Sequence, residues 1–271
     1  VCCHPGLAPV PQAAIEDPDS FLVAPIGNGP FMMDGKWESG QYSNVKSFED
    51  YYGDKPALDA INFSIQKDPK TAYSELEAGN MDFCQMPTGR IQELTEKFGK
   101  AVDGYTISPS RQALLGAEAS VYYLAVNLED ETMANKDLRH AISLAINRQN
   151  IVDTLFEGGR EPADNVFPPI IDKKGGNWEF AEYDPEKAKQ IIDEKGLAGT
   201  SVTLSYNSGG GHEDIMSCIQ ADLQAVGLTV EQDTKEWAAY LQGLIDGTFQ
   251  MGRLGWIADY PTLDPFIYPN F

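Results

Sequence analysis

The C-terminal part of the chain alternates strand and helix patterns, and this order constrains the fold more than any other feature. Strand patterns cover residues 201–207, 228–233 and 249–260, and helical patterns between them cover 213–226 and 235–246. Strands that alternate with helices of this length are typical of a sheet whose parallel strands are joined by crossover helices. The sequence therefore predicts an α/β lobe with a largely parallel sheet.

The final strand of this run has an unusual set of side chains. It contains a cation (Arg253), a large apolar ring (Trp256), a carboxylate (Asp259) and a phenol (Tyr260). Side chains alternate between the faces of a regular strand, so Arg253 and Asp259 are predicted to share a face. Because a buried charge is costly unless it is paired, both need partners, which are either each other or a charged ligand.

Polar residues follow two of the predicted parallel strands. Ligands of such sheets bind beyond the carboxyl ends of the strands. In this chain those ends lie at residues 207–212, which begin with Asn207 and end with His212, and at residues 255–260. The sequence thus predicts a binding site at this edge of the sheet.

The patterns before residue 200 are more varied. They predict strands at 31–37, 60–66, 81–84, 105–108 and 120–127, and helices at 11–16, 69–79, 90–98, 136–147, 148–156 and 184–196. Asp68 and Thr88 are predicted to cap the helices that follow them. Ile61, Phe63 and Ile65 alternate with polar residues, which indicates a strand half in the core.

The composition argues against several classes of protein. The 271 residues include 20 Lys and Arg against 41 Asp and Glu, a net charge of −21. Phosphate backbones need a basic surface, so we expect no nucleic-acid partner, and direct binding to anionic membranes is disfavoured. The 42% of hydrophobic residues indicates a folded chain. The length of 271 residues is sufficient for two domains. The sequence contains no apolar run of about 18 residues, so we expect no transmembrane helix. The start of the chain lacks a signal-peptide pattern.

Cysteine and histidine residues do not form a recognisable metal motif. The cysteines are Cys2, Cys3, Cys84 and Cys218, and the histidines are His4, His140 and His212. The cysteine spacings match no zinc pattern, and the adjacent pair beside His4 lacks a second pair of ligands, so free thiols are the favoured interpretation. We therefore expect no metal and no cofactor, and the cysteines leave the cellular compartment open.

Six segments of the chain resemble motifs of one protein family, in the family's order. They are residues 27–31 (GNGPF), 51–56 (YYGDKP), 79–82 (GNMD), 138–148 (LRHAISLAINR), 183–188 (YDPEKA) and 255–260 (GWIADY). The family is that of the dipeptide-, oligopeptide- and nickel-binding extracellular solute-binding proteins of ABC importers (family 5), and the chain is most similar to the oligopeptide-binding branch. Each motif alone is weak, whereas six in order are specific, and they extend over nearly the whole chain.

The resemblance implies a fold and a domain organisation. Family members have periplasmic-binding-protein-like lobes of the class II type, built from mixed sheets flanked by helices. They have three lobes and run to roughly twice this length, so we expect an incomplete α/β fold. Residues 1–117 are expected to be the central part of lobe I, and residues 118–271 most of lobe III, truncated at the C-terminus.

The resemblance also implies a function without catalysis. The protein is expected to capture short peptides in an inter-lobe cleft and to deliver them to the membrane permease of an ABC importer. We expect a monomer in an extracytoplasmic location, either periplasmic or lipid-anchored at the cell surface. The alternatives are a binder of the same fold for another cargo, such as a nickel chelate, an oligosaccharide or an opine, and a glycoside hydrolase, for which the chain has carboxylates but no organising motif.

The resemblance assigns ligand contacts to eight residues. Asp259 matches an aspartate that pairs with the α-ammonium of the bound peptide, whereas the residues alone leave open an internal pair with Arg253. Arg253 matches an arginine near the peptide that is able to bind a carboxylate, and His212 matches a loop residue over the far end of the peptide. The other expected contacts are Asn207, Tyr123, Trp237, Trp256 and Tyr260.

Some positions depart from the family pattern. Some relatives have a cysteine at the positions of both Ser120 and Ile257, joined as a disulfide. Both cysteines are replaced in this chain, as expected for a pair of neighbours, so Ser120 and Ile257 are predicted to lie side by side. Leu244 and Ala125 replace a basic and an acidic residue of some relatives, which leaves the preferred peptide length and side chains open.

Overall fold

The protein is described by a computed structural model for residues 8–172 and 178–268, so Cys2, Cys3 and His4 lie outside the described residues. The chain forms two compact units, Val1–Lys67 and Asp68–Phe271. The expected lobe boundary after residue 117 stays a prediction. Among the described helices, none is long and apolar enough to cross a membrane.

The first unit contains a small antiparallel sheet and two short helices. The elements are α1 (Ala13–Glu16), α2 (Pro18–Val23), β1 (Phe31–Met33), β2 (Tyr42–Ser47) and β3 (Ala60–Ser64). The strand order is β1-β2-β3, and Val45 at the centre lies opposite Met33 and Ile61. The sequence patterns predicted β1 and β3 but missed β2 and α2.

The outer strand β3 does not have the predicted burial. Phe63 and Ile65 are 53% and 43% exposed, so the prediction that this strand is half in the core was wrong. None of the described residues of the first unit is buried. A strand buries its apolar face only where another layer packs on it, and the three strands are too few to form such a layer themselves.

The second unit contains the predicted α/β run. Its elements are α3 (Pro69–Glu77), α4 (Ile91–Phe98), β4 (Ser120–Val126), α5 (Lys136–Ala145), α6 (Arg148–Phe156), α7 (Pro185–Glu194), β5 (Ser201–Asn207), α8 (His212–Ala225), β6 (Thr229–Lys235), α9 (Trp237–Ile245), β7 (Met251–Ile257) and α10 (Asp264–Ile267). The β-α-β-α-β prediction is confirmed. The strands predicted at 81–84 and 105–108 are wrong, since the structure places only an isolated bridge, Ser108 to Arg111, in these segments.

Local sequence explains where several helices begin. The Asp68 side chain accepts from the Lys70 N–H, which confirms it as the N-cap of α3, and the Asp184 side chain caps α7 by accepting from the Lys187 N–H at 2.9 Å. Each such cap satisfies a helix N–H that otherwise lacks a partner. Thr88 does not cap α4, because its hydroxyl bonds Asp214 at the start of α8 instead.

The main sheet is mixed and has the order β4-β7-β5-β6. Strands β5, β6 and β7 run parallel, whereas β4 joins the edge in the antiparallel direction. From β5 the chain crosses to β6 through α8, and from β6 it returns past β5 to β7 through α9. Because these crossovers run in opposite directions and such connections are right-handed, α8 and α9 cover opposite faces.

Helices on both faces give the sheet a dry interior. Val202 and Leu204 of β5, Met251 of β7 and Met216 of α8 are all fully buried. The same cluster includes Ala188 and Ile192 on one side of α7 and most of the apolar face of α5. The core thus lies around β5 and β7, the two strands whose carboxyl ends were predicted to hold the site.

Candidate ligand-binding site

The neighbouring strands β5 and β7 bring together two of the predicted site residues. Their register pairs Leu204 with Met251 and Ser205 with Gly252, so Asn207 and Arg253 reach the same edge. An Arg253 Nη1–H donates to Asn207 Oδ1 at 3.3 Å. Asn207 is the last residue of β5 and so lies at the carboxyl end of the parallel strands, where ligands of such sheets bind.

Strand β4 supplies an aromatic base for the arginine. Its antiparallel register sets Leu124 opposite Arg253 and Tyr122 opposite Gly255, so Tyr122 and Arg253 share a face. The Arg253 Cζ lies 4.9 Å from the centre of the Tyr122 ring, a cation–π distance. Sequence reasoning selected Tyr123 and missed Tyr122, because the register that decides between them cannot be known from β4 alone.

His212 completes this face of the site. It is the first residue of α8 and follows Gly211, whose φ of 75° lies in the left-handed region that glycine adopts readily. The His212 Nδ1 and the Tyr122 hydroxyl share a hydrogen bond of 3.3 Å, and His212 is 9% exposed. The predicted residues Arg253, Asn207 and His212 are thus joined by contacts into one cluster with Tyr122, and we call this cluster the arginine pocket.

Burial and positive charge shift the protonation equilibria of this pocket. Burial, reinforced by the charges of Arg253 and Arg160, lowers the pKa of His212 to about 4, so its imidazole is neutral at physiological pH. Burial also raises the pKa of Tyr122 to about 12, although the same two arginines oppose the rise. Arg160, which lies just after α6, was not singled out by the sequence.

The guanidinium of Arg253 has unused hydrogen-bonding capacity. Its Nε is buried and has no hydrogen-bond partner, and none of the ion pairs within residues 8–172 and 178–268 includes it. The ion pair between Arg253 and Asp259 that the residues alone left open is therefore not formed within the described chain. A buried donor without a partner is costly, and an anionic ligand is able to satisfy it.

The backbone beneath Arg253 is held by Tyr240 of α9. The Tyr240 hydroxyl, 2% exposed, donates to the carbonyl oxygen of Arg253 at 2.5 Å and lies 3.3 Å from that of Ser205. Gly252 permits this approach, since a Cβ there would stand 3.0 Å from the same hydroxyl and 2.8 Å from Leu244 Cδ2. Tyr240 therefore ties β5 to β7 directly below the arginine pocket.

The predicted aromatic residues lie elsewhere on the lobe. Trp256 pairs with Val121 and Tyr123 with Leu254, which places Trp256 and Tyr123 on the face of the sheet opposite to Arg253. The Trp256 Nε1 is buried without a hydrogen-bond partner among the described residues. Trp237 begins α9, is 50% exposed, and has its ring 6.3 Å from that of Tyr240.

Asp259 and Tyr260 follow the end of β7. The Ala258 N–H donates to the Ala119 carbonyl oxygen at 2.8 Å, so the pairing with the β4 side continues to the residue before Asp259. The Tyr260 hydroxyl donates to the Asp264 carboxylate in α10, which raises the Tyr260 pKa. Asp259 lies two residues beyond the carboxyl end of β7, at the edge of the sheet where the site was predicted. Its role toward a ligand stays a prediction.

The expected pairing of Ser120 with Ile257 is confirmed. The two residues lie directly opposite each other at the ends of β4 and β7. The same β4–β7 register places Tyr122 and Arg253 on one face of the sheet. The arginine pocket therefore depends on the strand alignment that the pair Ser120 and Ile257 confirms.

No group of three or more His, Cys, Asp or Glu side chains within the described part of the chain is placed to hold a metal ion. His140 of α5 instead stacks on Phe180, with ring centres 3.6 Å apart. The arginine pocket offers donors and a cation, which suit an anionic or carbonyl-bearing ligand.

Comparison with known proteins finds relatives that match nearly the whole chain. The chain is 29% identical over 264 residues to the dipeptide-binding protein of Escherichia coli, covering 94% of this chain and 46% of that protein. It is 27% identical over 258 residues to the heme-binding protein A of Haemophilus influenzae, covering 93% and 45%. The chain thus spans about half the length of these relatives.

A solved structure has the same fold. It is the ABC transporter-associated periplasmic binding protein DppA from Helicobacter pylori in complex with the peptide STSA. It superposes with a TM-score of 0.79 at 26% identity, covering 94% of this chain and 48% of that one. The family model of the bacterial extracellular solute-binding proteins, family 5 Middle, matches residues 4–271. The chain therefore belongs to the bacterial extracellular solute-binding proteins of family 5.

Proposed function

We propose that the full-length protein is the substrate-binding component of an ABC importer, which captures short peptides and delivers them to a membrane permease. The observation that carries the proposal is the arginine pocket at the carboxyl edge of the main sheet, where Arg253 has a buried Nε without a hydrogen-bond partner. A peptide brings a carboxylate that suits this guanidinium, and carbonyl groups that suit neighbouring donors.

The two ends of a peptide have opposite charges, and we propose a partner for each. The arginine pocket takes the carboxylate through Arg253, with neutral His212 and Asn207 beside it. Asp259, which matches the aspartate of the oligopeptide-binding branch, takes the α-ammonium. Trp256, Trp237, Tyr123 and Tyr260 stay predicted contacts of the peptide between its ends.

The relatives support a binding role and leave the cargo to experiment. The Escherichia coli relative is named for a dipeptide and the Haemophilus influenzae relative for heme, whereas the Helicobacter pylori structure holds a tetrapeptide. All are binding proteins, which supports binding over the glycoside hydrolase considered from the sequence. The description of the family as extracellular supports the proposed extracytoplasmic location. We also propose that the protein acts as a monomer.

The function is tested by calorimetry of the full-length protein with tri- to pentapeptides and their N-acetylated counterparts. We expect the free peptides to bind and the acetylated ones to bind at least about tenfold more weakly, because acetylation removes the charge that pairs with Asp259. Asp259→Asn should weaken only the free peptides. Asp246→Asn, which removes an exposed carboxylate at the end of α9, is the matched control.

Three outcomes would contradict parts of this proposal. Absence of binding to any peptide would exclude the peptide role, and native mass spectrometry of the purified protein would then identify the cargo it carries. Equal affinity for free and acetylated peptides would exclude the role of Asp259 alone. Equal losses in Asp259→Asn and Asp246→Asn would show that the net charge of the protein, rather than a contact, controls affinity.

A further inference from the structure

Tyr122 connects the two side chains of the arginine pocket that are able to donate to a ligand. The Arg253 Cζ lies 4.9 Å from the centre of the Tyr122 ring, and the Tyr122 hydroxyl lies 3.3 Å from Nδ1 of His212. The rings of Tyr122 and His212 are inclined at 40° with centres 5.7 Å apart, so they meet through the hydroxyl and do not stack. One phenol therefore contacts both groups.

The cation beside Tyr122 decides the direction of its hydrogen bond with His212. A positive charge near a phenol favours the polarised O–H bond, so Arg253 makes the hydroxyl a stronger donor and its oxygen a weaker acceptor. Tyr122 still keeps its proton, because burial raises its pKa to about 12. Neutral His212 has one ring nitrogen with a free lone pair. The favoured arrangement is donation from the Tyr122 hydroxyl to Nδ1.

This hydrogen bond determines the tautomer of His212. In a neutral imidazole, the nitrogen that accepts a hydrogen bond has no proton, and the other nitrogen carries it. Nδ1 accepts from Tyr122, so Nε2 carries the hydrogen. Within residues 8–172 and 178–268, Nε2 makes no hydrogen bond and is not among the fully buried polar atoms, so it is accessible to a ligand. Gly210 leaves room beside it, since a Cβ there would stand 3.0 Å from Nε2.

The two acceptor atoms of the pocket are already used inside it. Nδ1 of His212 faces the Tyr122 hydroxyl, and Oδ1 of Asn207 accepts from Arg253 at 3.3 Å. The unused groups are donors, namely Nε2–H of His212 and the buried Nε–H of Arg253. A carboxylate presents only acceptors, whereas a primary amide also presents N–H groups that need acceptors. The pocket therefore suits a carboxylate better than an amide.

We propose that Tyr122 is a positioning residue of the arginine pocket, whose hydroxyl holds His212 in the Nε2–H tautomer so that His212 and Arg253 both donate to a peptide carboxylate. The inference rests on the proposed peptide-binding function and names the residue that makes the pocket select a carboxylate over an amide. With the other tautomer, the lone pair of Nε2 would face the carboxylate oxygen and repel it. Tyr122 thus acts on the ligand through His212.

The tautomer is tested by nuclear magnetic resonance of the ligand-free full-length protein with isotope-labelled histidine, at neutral pH. Two-bond proton–nitrogen correlations of the ring distinguish the tautomers, and the signals lost in His212→Gln identify those of His212. We expect the Nε2–H tautomer alone in the wild-type protein and both tautomers in Tyr122→Phe, which keeps the ring beside Arg253. Tyr73→Phe removes the hydroxyl of a buried tyrosine in α3 and should leave the pattern unchanged.

Calorimetry of the same proteins tests the consequence for the ligand, with trialanine and its C-terminal amide. We expect the wild-type protein to bind the free acid at least about tenfold more tightly than the amide, because the amide lacks the charge that Arg253 binds. Tyr122→Phe should weaken binding of the acid about fivefold, the usual size of one hydrogen bond, and leave the amide unchanged. Tyr73→Phe should change neither affinity.

The outcomes separate this inference from the proposed function. An Nδ1–H tautomer in the wild-type protein, an unchanged spectrum in Tyr122→Phe, or equal weakening of acid and amide would overturn the role of Tyr122 and leave peptide binding intact. Failure of the wild-type protein to bind either form would overturn the proposed function and the ligand role of Tyr122, while the ligand-free spectrum still decides the tautomer.

A second pair of variants decides the question if Tyr122→Phe does not fold, as judged by circular dichroism. The amide of Gln reaches the position of Nε2, so His212→Gln should retain most of the affinity for trialanine. The shorter amide of Asn reaches only the position of Nδ1, so His212→Asn should lose about fivefold. Equal losses in the two variants would contradict donation from Nε2 and overturn the inference.

Discussion

The two sheets of the protein contain strands with the same sequence pattern and opposite burial. In β3 and just after it, Ile61, Phe63 and Ile65 alternate with polar residues, yet Phe63 and Ile65 are 53% and 43% exposed. In β5, Val202 and Leu204 alternate with polar residues in the same way, and both are 0% exposed. The difference lies in the layers that pack on the strands.

An alternating pattern therefore shows which side chains are available for burial, but it does not show whether another layer buries them. The main sheet has helices on both faces, and even the polar Ser205 of β5 is only 2% exposed. From residue 8 onward, the first unit has three strands and two short helices, and none of its residues is buried. Hydrophobic stabilisation is proportional to the apolar area removed from water, so the two sheets should respond very differently to equivalent substitutions.

The largest expected difference is between Leu204→Ala and Phe63→Ala. Leu204→Ala should lower the free energy of unfolding by about 3 kcal/mol, because it opens a cavity in a closed core. Phe63→Ala should cost less than about 1 kcal/mol, because more than half of that side chain is already in water. Urea denaturation followed by circular dichroism measures both. A loss for Phe63→Ala as large as for Leu204→Ala would mean that β3 is covered in solution.

The covered sheet should also show a pH dependence that comes from His212. Its folded pKa of about 4 lies below the value of about 6.5 expected in the unfolded chain, so between these values the unfolded state binds more protons. The contribution of neutral His212 to folding stability is fully present above the unfolded pKa and is lost as the pH falls toward 4. From pH 7.5 to pH 5, wild-type protein should lose about 2 kcal/mol more stability than His212→Gln.

The control for this prediction is His140→Gln. The pKa of His140 is also lowered, first by burial, but His140 is less buried than His212. Its variant should therefore retain most of the wild-type pH dependence. Equal pH profiles for wild-type protein and His212→Gln, measured by urea denaturation at each pH, would contradict the neutral buried imidazole in the arginine pocket.

A smaller difference is expected between two tyrosine hydroxyls. Tyr240→Phe removes a buried donor to the Arg253 carbonyl oxygen and should cost about 1.5 kcal/mol. Tyr42→Phe removes an exposed hydrogen bond to Glu38, 3.2 Å long, and should change stability by less than about 0.5 kcal/mol. Both are measured as urea midpoints. Equal effects would show that the bond from Tyr240 does not tie β5 to β7.

The smallest expected difference concerns two aspartate N-caps. Asp184 begins α7, which buries Ala188 and Ile192, whereas Asp17 begins α2, which buries no residue. Asp184→Ala should cost about 1 kcal/mol of global stability. Asp17→Ala should leave global stability unchanged and increase amide hydrogen exchange only in α2. Hydrogen exchange resolved by segment separates the two, and a global effect of Asp17→Ala would contradict the difference between the units.

The sequence alone was sufficient for features that depend on near neighbours. The start of α3 at Asp68 and the alternation of strands and helices from β5 to β7 follow from capping groups and short periodic segments. The six family motifs, in order, identified the family that the comparisons then confirmed. These signals are strong because each one is contained within a few consecutive residues.

Other features depended on the rest of the molecule. Thr88 had the sequence of a helix cap, yet its hydroxyl bonds Asp214, a residue 126 positions away. The segments at 81–84 and 105–108 had the composition of strands, but their only pairing in the described chain is the isolated bridge from Ser108 to Arg111. A strand exists only through its partner, and sequence patterns do not specify partners.

In the final strand, β7, local sequence and tertiary packing determine different parts of the site. Its sequence determined that Arg253 is a charge in a largely apolar strand and needs a partner. Only the tertiary structure decided which partner, because Tyr122, Asn207 and His212 come from three other segments, joined through the register of β4 and the order of the parallel strands. The physical reason is that side-chain direction is local, whereas the neighbours that a side chain meets are set by packing over the whole lobe.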